Sequence, residues 1–340
     1  MITFVGDVFP ARPVEVAVDL PGVVVLNLEA PLTDSRAAYP GKINLRGSAD
    51  AFAATFAGRE VVATLANNHC MDFQEPGLLD TFAALDGLGV PYCGAGTAAD
   101  GWRNPATFTA RGLTVAVLAY ADPSCSPVYG DGERPGAAPL VLERALRDVA
   151  AAREAGADRV VVAAHWGEEQ VHLPTSRCVA LARVLVDGGA DVVVGHHAHC
   201  IQSYETYRGR PIMYGLGNCV FPEHESPSYY DAEGRPTRVQ RTRPSARNRR
   251  SLALVWDPAT GAFEVRTLYF DGRRLVPGRF DHERFRLEYR GAERHDVEYA
   301  RAYRRGKLVH ALESFVAEPK LPRLAHLRNV SRILRTSLRP

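Results

Sequence analysis

The sequence lacks a surplus of charge, a CxxC pair, a long apolar run and an internal repeat, and each absence narrows what it can be. Lys and Arg total 41 against 39 Asp and Glu, a formal net charge of +2. That balance gives no reason to expect nucleic acid or another polyanion as partner, and any basic patch must be local. The six cysteines, Cys70, Cys93, Cys125, Cys178, Cys200 and Cys219, are irregularly spaced, so free thiols are expected. Cys70 and Cys200 follow candidate site histidines and read as small buried side chains rather than catalytic thiols. The opening Met-Ile-Thr-Phe-Val-Gly-Asp carries no basic segment followed by an apolar one, so no signal peptide is expected. Apolar runs such as 160–164 and 192–194 are strand-sized and well short of a membrane span. The expectation is a cytoplasmic protein without a membrane anchor; the oligomeric state stays open.

What is present is ordinary globular composition, 46% hydrophobic and 24% charged over 340 residues. That length suits a large α/β domain with an appendage. β-branched runs alternate with helical patterns up to about Asn218. They predict strands at 2–6, 23–28, 61–65, 114–119, 159–164, 191–194 and 212–214, and helices at 76–88, 140–155 and 176–188. Gly89 and Gly156 read as helix stops, and Pro139 and Pro174 stand near helix starts. Strands apolar throughout imply a sheet covered by other layers. The pattern lapses over 223–250, where 234–250 holds many arginines and no acid and reads as an exposed loop or lid. Strands resume at 251–256 and 264–270. The division expected is a main domain at 1–272 and an extension at 273–340 packing on or near the site. The extension is charged, mainly helical, and ends with Leu321, Leu324, Leu327 and Val330 on one face. A basic amphipathic helix can meet a membrane or a partner; packing on its own domain is the expectation.

Chemistry-bearing residues recur where the strands end. Asp7 follows the first, Glu29 the second and Asn67-Asn68-His69 the third, while His165 and the histidines at 196, 197 and 199 close two more. Open α/β sheets gather their sites at the carboxyl ends of strands. Hard and borderline cations need carboxylate, amide and imidazole ligands from several loops, and Asp7, Glu29, Asn68, His165, His197 and His199 supply that set. In an extended segment His197 and His199 would point the same way, and a carboxylate such as Glu29 could bridge two ions. Taken singly, Asp7 or Asn67-Asn68 could be turn residues and His165 a core histidine. Those explanations do not account for the shared edge.

Gly6-Asp7, Asn27-Leu28-Glu29, Asn67-Asn68-His69, His165-Trp166-Gly167, Gly195-His196-His197-Ala198-His199 and Leu216-Gly217-Asn218 occur in that order. The set resembles the CapA-like (poly-γ-glutamate capsule) branch of the calcineurin-like metallophosphoesterase superfamily, over about residues 1–270. The resemblance implies a four-layer α/β/β/α sandwich, here with a C-terminal, mainly helical extension. It implies Asp7 as the first-motif aspartate, Glu29 as bridging carboxylate, Asn68 as amide ligand and His69 as the nearby acid/base group. His165, His197 and His199 are the remaining implied ligands, with His196 a neighbour outside the set. Two positions depart from the pattern: Phe9 stands where the superfamily has a histidine, and Ala198 where a proline is usual. One ion position is therefore expected to be short of a ligand. The cofactor implied is one or more divalent ions, with manganese, calcium and zinc not distinguished and the oxygen-rich set leaning to manganese or calcium.

Three reactions fit such a site: phosphoester hydrolysis, γ-glutamyl amide hydrolysis or ligation, and metal-assisted acid/base chemistry on a peptide. Anchorless CapA-like proteins of ribosomal-peptide pathways include lasso-peptide epimerases, and this chain resembles that type. The expectation is inversion at the C-terminal residue of a precursor peptide. Inversion needs one group to remove the α-proton, another to return it from the opposite face, and a cation beside the developing charge. His69 with Asp72 is one candidate pair and His295 with Asp296 the other. Arg241 and Arg243 are candidates to hold the peptide carboxylate bidentately. The plainer alternatives are a surface histidine at 295 and a solvated lid for the arginines.

Overall fold

The computed structural model describes residues 1–231 and 233–317. Two sheets carry the fold among them. The larger runs, edge to edge, Glu15–Val16, Arg274–Pro277, Phe263–Phe270, Arg250–Trp256, Ile2–Val8, Val23–Leu28, Val61–Thr64 and Tyr92–Cys93, with Asn218–Val220 also beside Ile2–Val8. The smaller runs Tyr204–Tyr207, Arg210–Met213, Val192–His196, Arg159–His165, Leu113–Ala121 and Ala106–Ala110. Both sheets are parallel at their centres.

Side-chain alternation along Leu113–Ala121 shows the layering. Val115, Val117, Ala119 and Ala121 join residues of the other sheet, such as Phe4, Val25 and Leu254, in one core. Ala116, Leu118 and Tyr120 join Ala145, Val149, Val179, Ala182 and Leu185, which belong to helices α3 (Leu142–Glu154) and α4 (Ser176–Asp187). A strand's side chains alternate between faces, so this strand separates an inter-sheet core from a helix-facing core. The far face of the larger sheet is covered by α1 (Ala49–Thr55) and α2 (Gln74–Gly87), through Phe52, Leu78, Phe82 and Leu85. The result is the expected α/β/β/α sandwich. Strands such as Ile2–Val8 are buried at every position, which is why they read as unbroken apolar runs.

Two stretches differ from expectation. Within 223–250, His224–Tyr230 and Pro236–Thr242 pair as an antiparallel hairpin. The arginines stand there among Thr, Val and Gln, a strand-compatible composition that charge alone obscures. Beyond Arg273 the chain first adds Arg274–Pro277 to the larger sheet, then forms α5 (Ala292–Ala317). This helix lies on the main domain. Lys307 Nζ is 3.3 Å from the Glu168 carboxylate, and Gly306 sits so close that a Cβ there would fall 2.4 Å from the Gln170 carbonyl oxygen. The apolar face of Leu321, Leu324, Leu327 and Val330 lies outside the described residues. Among the described residues no helix is long and apolar enough to cross a membrane.

Candidate metal centre

Parallel register brings the motifs together. Asp7 stands opposite both Asn27 and Asn218, and His165 opposite His196. Two motif glycines permit the approach. A Cβ on Gly6 would lie 1.7 Å from the Gly217 carbonyl oxygen and one on Gly195 1.9 Å from that of Tyr214. With glycine at 6, Asp7 N reaches the Gly217 carbonyl at 2.9 Å.

An asparagine frame orients the carboxylates. Asn27 Nδ2 donates to Asp7 Oδ1 at 2.9 Å and to Glu29 Oε2. Asn67 Nδ2 donates to Asn27 Oδ1 at 3.1 Å and to the Leu28 carbonyl at 2.8 Å. His165 Nε2 lies 2.9 Å from Asn68 Oδ1 and 3.8 Å from Glu29 Oε1. His199 Nε2 is also 3.8 Å from Glu29 Oε1, and its Nδ1 is 2.9 Å from Asn218 Oδ1 and 3.4 Å from Asp7 Oδ2. The His165 and His197 ring centroids are 4.9 Å apart. The structure thus brings Asp7, Glu29, Asn68, His165, His197 and His199 into one buried cluster. His196 lies beside it, with Nδ1 3.1 Å from Asp7 Oδ1.

His197 and His199 do not sit in an extended segment. The strand ends at His196, and the two residues take φ of 87° and 52°. Left-handed backbone at a non-glycine residue costs of order 1–3 kcal/mol and persists where the surroundings enforce it.

The donor set fits a cation. Asp7 Oδ2, Glu29 Oε1, His165 Nδ1 and His197 Nδ1 are buried without a hydrogen-bond partner, an unfavourable state for protein atoms alone. Ligand atoms of Asp7, Glu29 and His165 lie within 4.8 Å of one another, and so do those of Cys125, His165 and His197. Electrostatics agree. Burial, reinforced by the Asp7 charge, pushes the Glu29 carboxyl well above its usual range. Burial would raise Asp7 too, but the hydrogen bond with His196 and the nearby His199 outweigh it and hold Asp7 well below. Burial lowers His165 well below its ordinary value and His197 to about 4, so both are neutral and ready to coordinate. Burial would also lower His199, yet Asp7 and Glu29 raise it to about 10.

His69 stands at the margin of this cluster. Its Nδ1 is 2.7 Å from Asp72 Oδ2, and Asp72 also receives Leu45 N at 2.6 Å and Lys42 Nζ at 2.5 Å. Burial lowers the His69 pKa against the opposing pull of Asp72. The result is a neutral imidazole with a fixed orientation.

The other sequence candidates have different neighbours. His295 is buried in α5 with Nε2 2.8 Å from the Pro174 carbonyl oxygen and its ring against Tyr289, while Asp296 is exposed. A histidine on a helix is placed by that helix's packing, and this one faces α4's start. Arg241 and Arg243 both bind Glu223, at 2.7 Å each, because the hairpin brings that acid alongside them. Phe9 packs with Ala30, Leu45 and Phe221 and meets the His224 ring edge-on, so apolar surface fills its place beside the site.

Sequence reading missed Cys125 and Glu169. Cys125 closes the turn after Leu113–Ala121 and donates to the His165 carbonyl at 3.2 Å. The strand-end rule applied to that strand would have found it. Glu169, exposed as a residue, has a carboxyl crowded enough that desolvation would raise it; His199, His197 and His69 outweigh that and lower it. Its signal was proximity to His165-Trp166-Gly167.

A family model described as bacterial capsule synthesis protein PGA_cap matches residues 9–223. The capsule biosynthesis protein CapA of Bacillus anthracis is 37% identical over 165 residues, 48% of this chain and 40% of that protein. A probable polyglutamine synthesis accessory protein of Mycobacterium tuberculosis is 36% identical over 210 residues, 58% of this chain and 55% of the other. The chain thus spans about half the length of the curated relatives it matches. Among solved structures, a 5'-nucleotidase precursor from Thermus thermophilus aligns at 16% identity and a TM-score of 0.40, covering 88% of this chain and 58% of that one.

Proposed function

The chain belongs to the bacterial capsule synthesis protein family, and from that premise we propose that it is a metal-dependent enzyme performing acid/base chemistry on a peptide chain. The finer proposal is inversion at the α-carbon of the chain's C-terminal residue. Asp7, Glu29, Asn68, His165 and His197 would hold the ion, with His199 as a sixth ligand. When bound, a divalent ion would act as Lewis acid toward a substrate carbonyl. The observation that carries the proposal is the His69–Asp72 pair, 2.7 Å apart and at the edge of that cluster. His69 Nε2 is the atom to take the proton, with Asp72 steadying the charge that forms on the ring.

Inversion also needs a group to return a proton from the other face. His295 is committed to Pro174 and does not serve. Against the effect of burial, Asp7 and Glu29 raise His199 to about 10 in the metal-free protein; with an ion on those carboxylates it would serve as a ligand.

The test is turnover of a peptide in deuterated water. An inverting enzyme places deuterium at the α-carbon without other mass change, and a chelator abolishes the exchange. The relatives' names favour a second reading, cleavage or formation of a glutamyl amide, which would appear as a mass change of one water instead. Turnover of phosphoesters with neither α-exchange nor a mass change on any peptide would overturn both readings.

A further inference from the structure

Arginines gather a second time, apart from the candidate metal centre. The 245–250 segment, the turn Glu283–Phe285 and the later part of α5 enclose a cavity of about 570 Å³. Arg247, Arg250, Arg284, Arg305 and His172 line it, with Glu313 the single acid. Such an excess is out of keeping with a chain whose charges nearly cancel.

Among the described residues these arginines have no carboxylate partner. Arg247 Nη2 donates to the Gln170 carbonyl and to Gln170 Oε1, at 3.1 Å each, and its Nε is buried without a partner. The Arg250 and Arg284 guanidiniums lie over the rings of Phe280 and Phe285, at 5.6 and 4.8 Å. Arg305 is exposed. By contrast Arg235 binds Asp231, and Arg241 binds Glu223. The arginine-rich stretch therefore divides into a neutralised hairpin and a following segment whose cations are left for something else. Burial together with Arg247, Arg305 and Arg284 lowers the His172 pKa, which agrees with a positive interior.

We propose that this cavity is an anion-binding site for a ligand bearing two or more carboxylate or phosphate groups. Guanidinium presents paired donors that match either group, and the volume is that of a small-ligand pocket. The site abuts the metal centre. Gln170, which anchors Arg247, also accepts from Asn248 Nδ2 at 2.9 Å, and the same Nδ2 donates to the His199 carbonyl at 2.5 Å. An anion held by Arg247 therefore bears on the segment that carries His199. Nothing in this proposal depends on which reaction the metal centre performs.

Calorimetric titration of the metal-free, full-length protein with pyrophosphate, and separately with a tri-glutamate peptide, tests it. One molecule should bind per chain, more weakly as salt is raised. The double variant Arg284→Ala/Arg305→Ala should weaken binding roughly tenfold or more. Its melting temperature should stay unchanged, because both side chains are exposed and lack ion-pair partners. Arg301→Ala, exposed on the same helix and outside the cavity, should bind as the parent does. Preference for one probe identifies the ligand as phosphate or carboxylate. Absence of binding by both, undiminished binding by the double variant, or equal weakening in Arg301→Ala would overturn the proposal.

Discussion

The candidate metal centre and the arginine cavity meet at Gln170 and Asn248, yet they are built on different principles. Asp7, Glu29, Asn68 and His165 stand at or just past the ends of neighbouring strands, where sheet register sets their positions. Carboxylate donors stand beside neutral amide and imidazole donors, and an asparagine frame orients them before any ligand arrives. The cavity takes its side chains from a loop, a short turn and a helix, all but one ionisable group of basic type, and half-buried or exposed. A centre that must bury charge needs rigid scaffolding and opposite partners close by. A site that stays partly wet can gather like charges with little structure and leave their neutralisation to a ligand.

Removing a member of the buried set should have the largest effect on metal retention. Glu29→Ala should weaken metal affinity by more than the roughly 10–100-fold that loss of an outer partner costs, seen as lower metal content after dialysis by elemental analysis. The cavity variant Arg284→Ala/Arg305→Ala should retain its metal. If Glu29→Ala retains it as well, the distinction between the two regions collapses.

His69→Ala probes the boundary of the cluster. Turnover should fall roughly 10²–10⁴-fold, as expected for loss of a general acid or base, with metal content unchanged. Loss of metal along with the histidine would instead place His69 among the ligands.

The metal-free protein should reveal burial through pH. His197 is held at about 4, below the roughly 6.5 of an unfolded chain, so protons favour the unfolded state between those values. The stability this contributes is fully present above pH 6.5 and is lost as pH falls through about 4, about 3 kcal/mol in all. Denaturant titrations at several pH values should show that slope, and His197→Gln should reduce it, leaving the share of His165 and His69. An unchanged slope would mean that His197 is not the residue resisting protonation.

The smallest effect should fall on the histidine that lies outside the cluster. His295→Ala should cost roughly 1–3 kcal/mol of stability, the penalty for stranding the Pro174 carbonyl, while turnover by the folded enzyme stays at the parent level. A large loss of turnover would return His295 to the chemistry.

Legibility followed the same division. The strand Val23–Leu28 was read with its observed limits, and Arg159–His165 to within one residue, because strands buried on both faces leave an unbroken apolar signature. The four-layer order was expected from the motif set and is what the alternation along Leu113–Ala121 displays. Cys125 escaped because a single thiol after a strand looks like any small buried residue. Arg241 and Arg243 looked unpaired because Glu223 is 18 and 20 residues away in sequence, and only the hairpin closes that gap. His197 and His199 were expected in extended backbone, since spacing carries no sign of φ.

By itself the sequence determined which residue types sit at the carboxyl ends of the parallel strands. Hydrophobic runs set strand positions, and a parallel sheet lines up whatever follows them. Only the tertiary structure decided which distant partners those residues acquired: Asp7 for His199, Pro174 for His295 and Glu223 for Arg241 and Arg243. It alone decided that Arg247, Arg250, Arg284 and Arg305 share a cavity. The physical reason is range. Hydrophobic periodicity is local, whereas a charge is satisfied by whatever lies within a few ångströms in space, however far away along the chain.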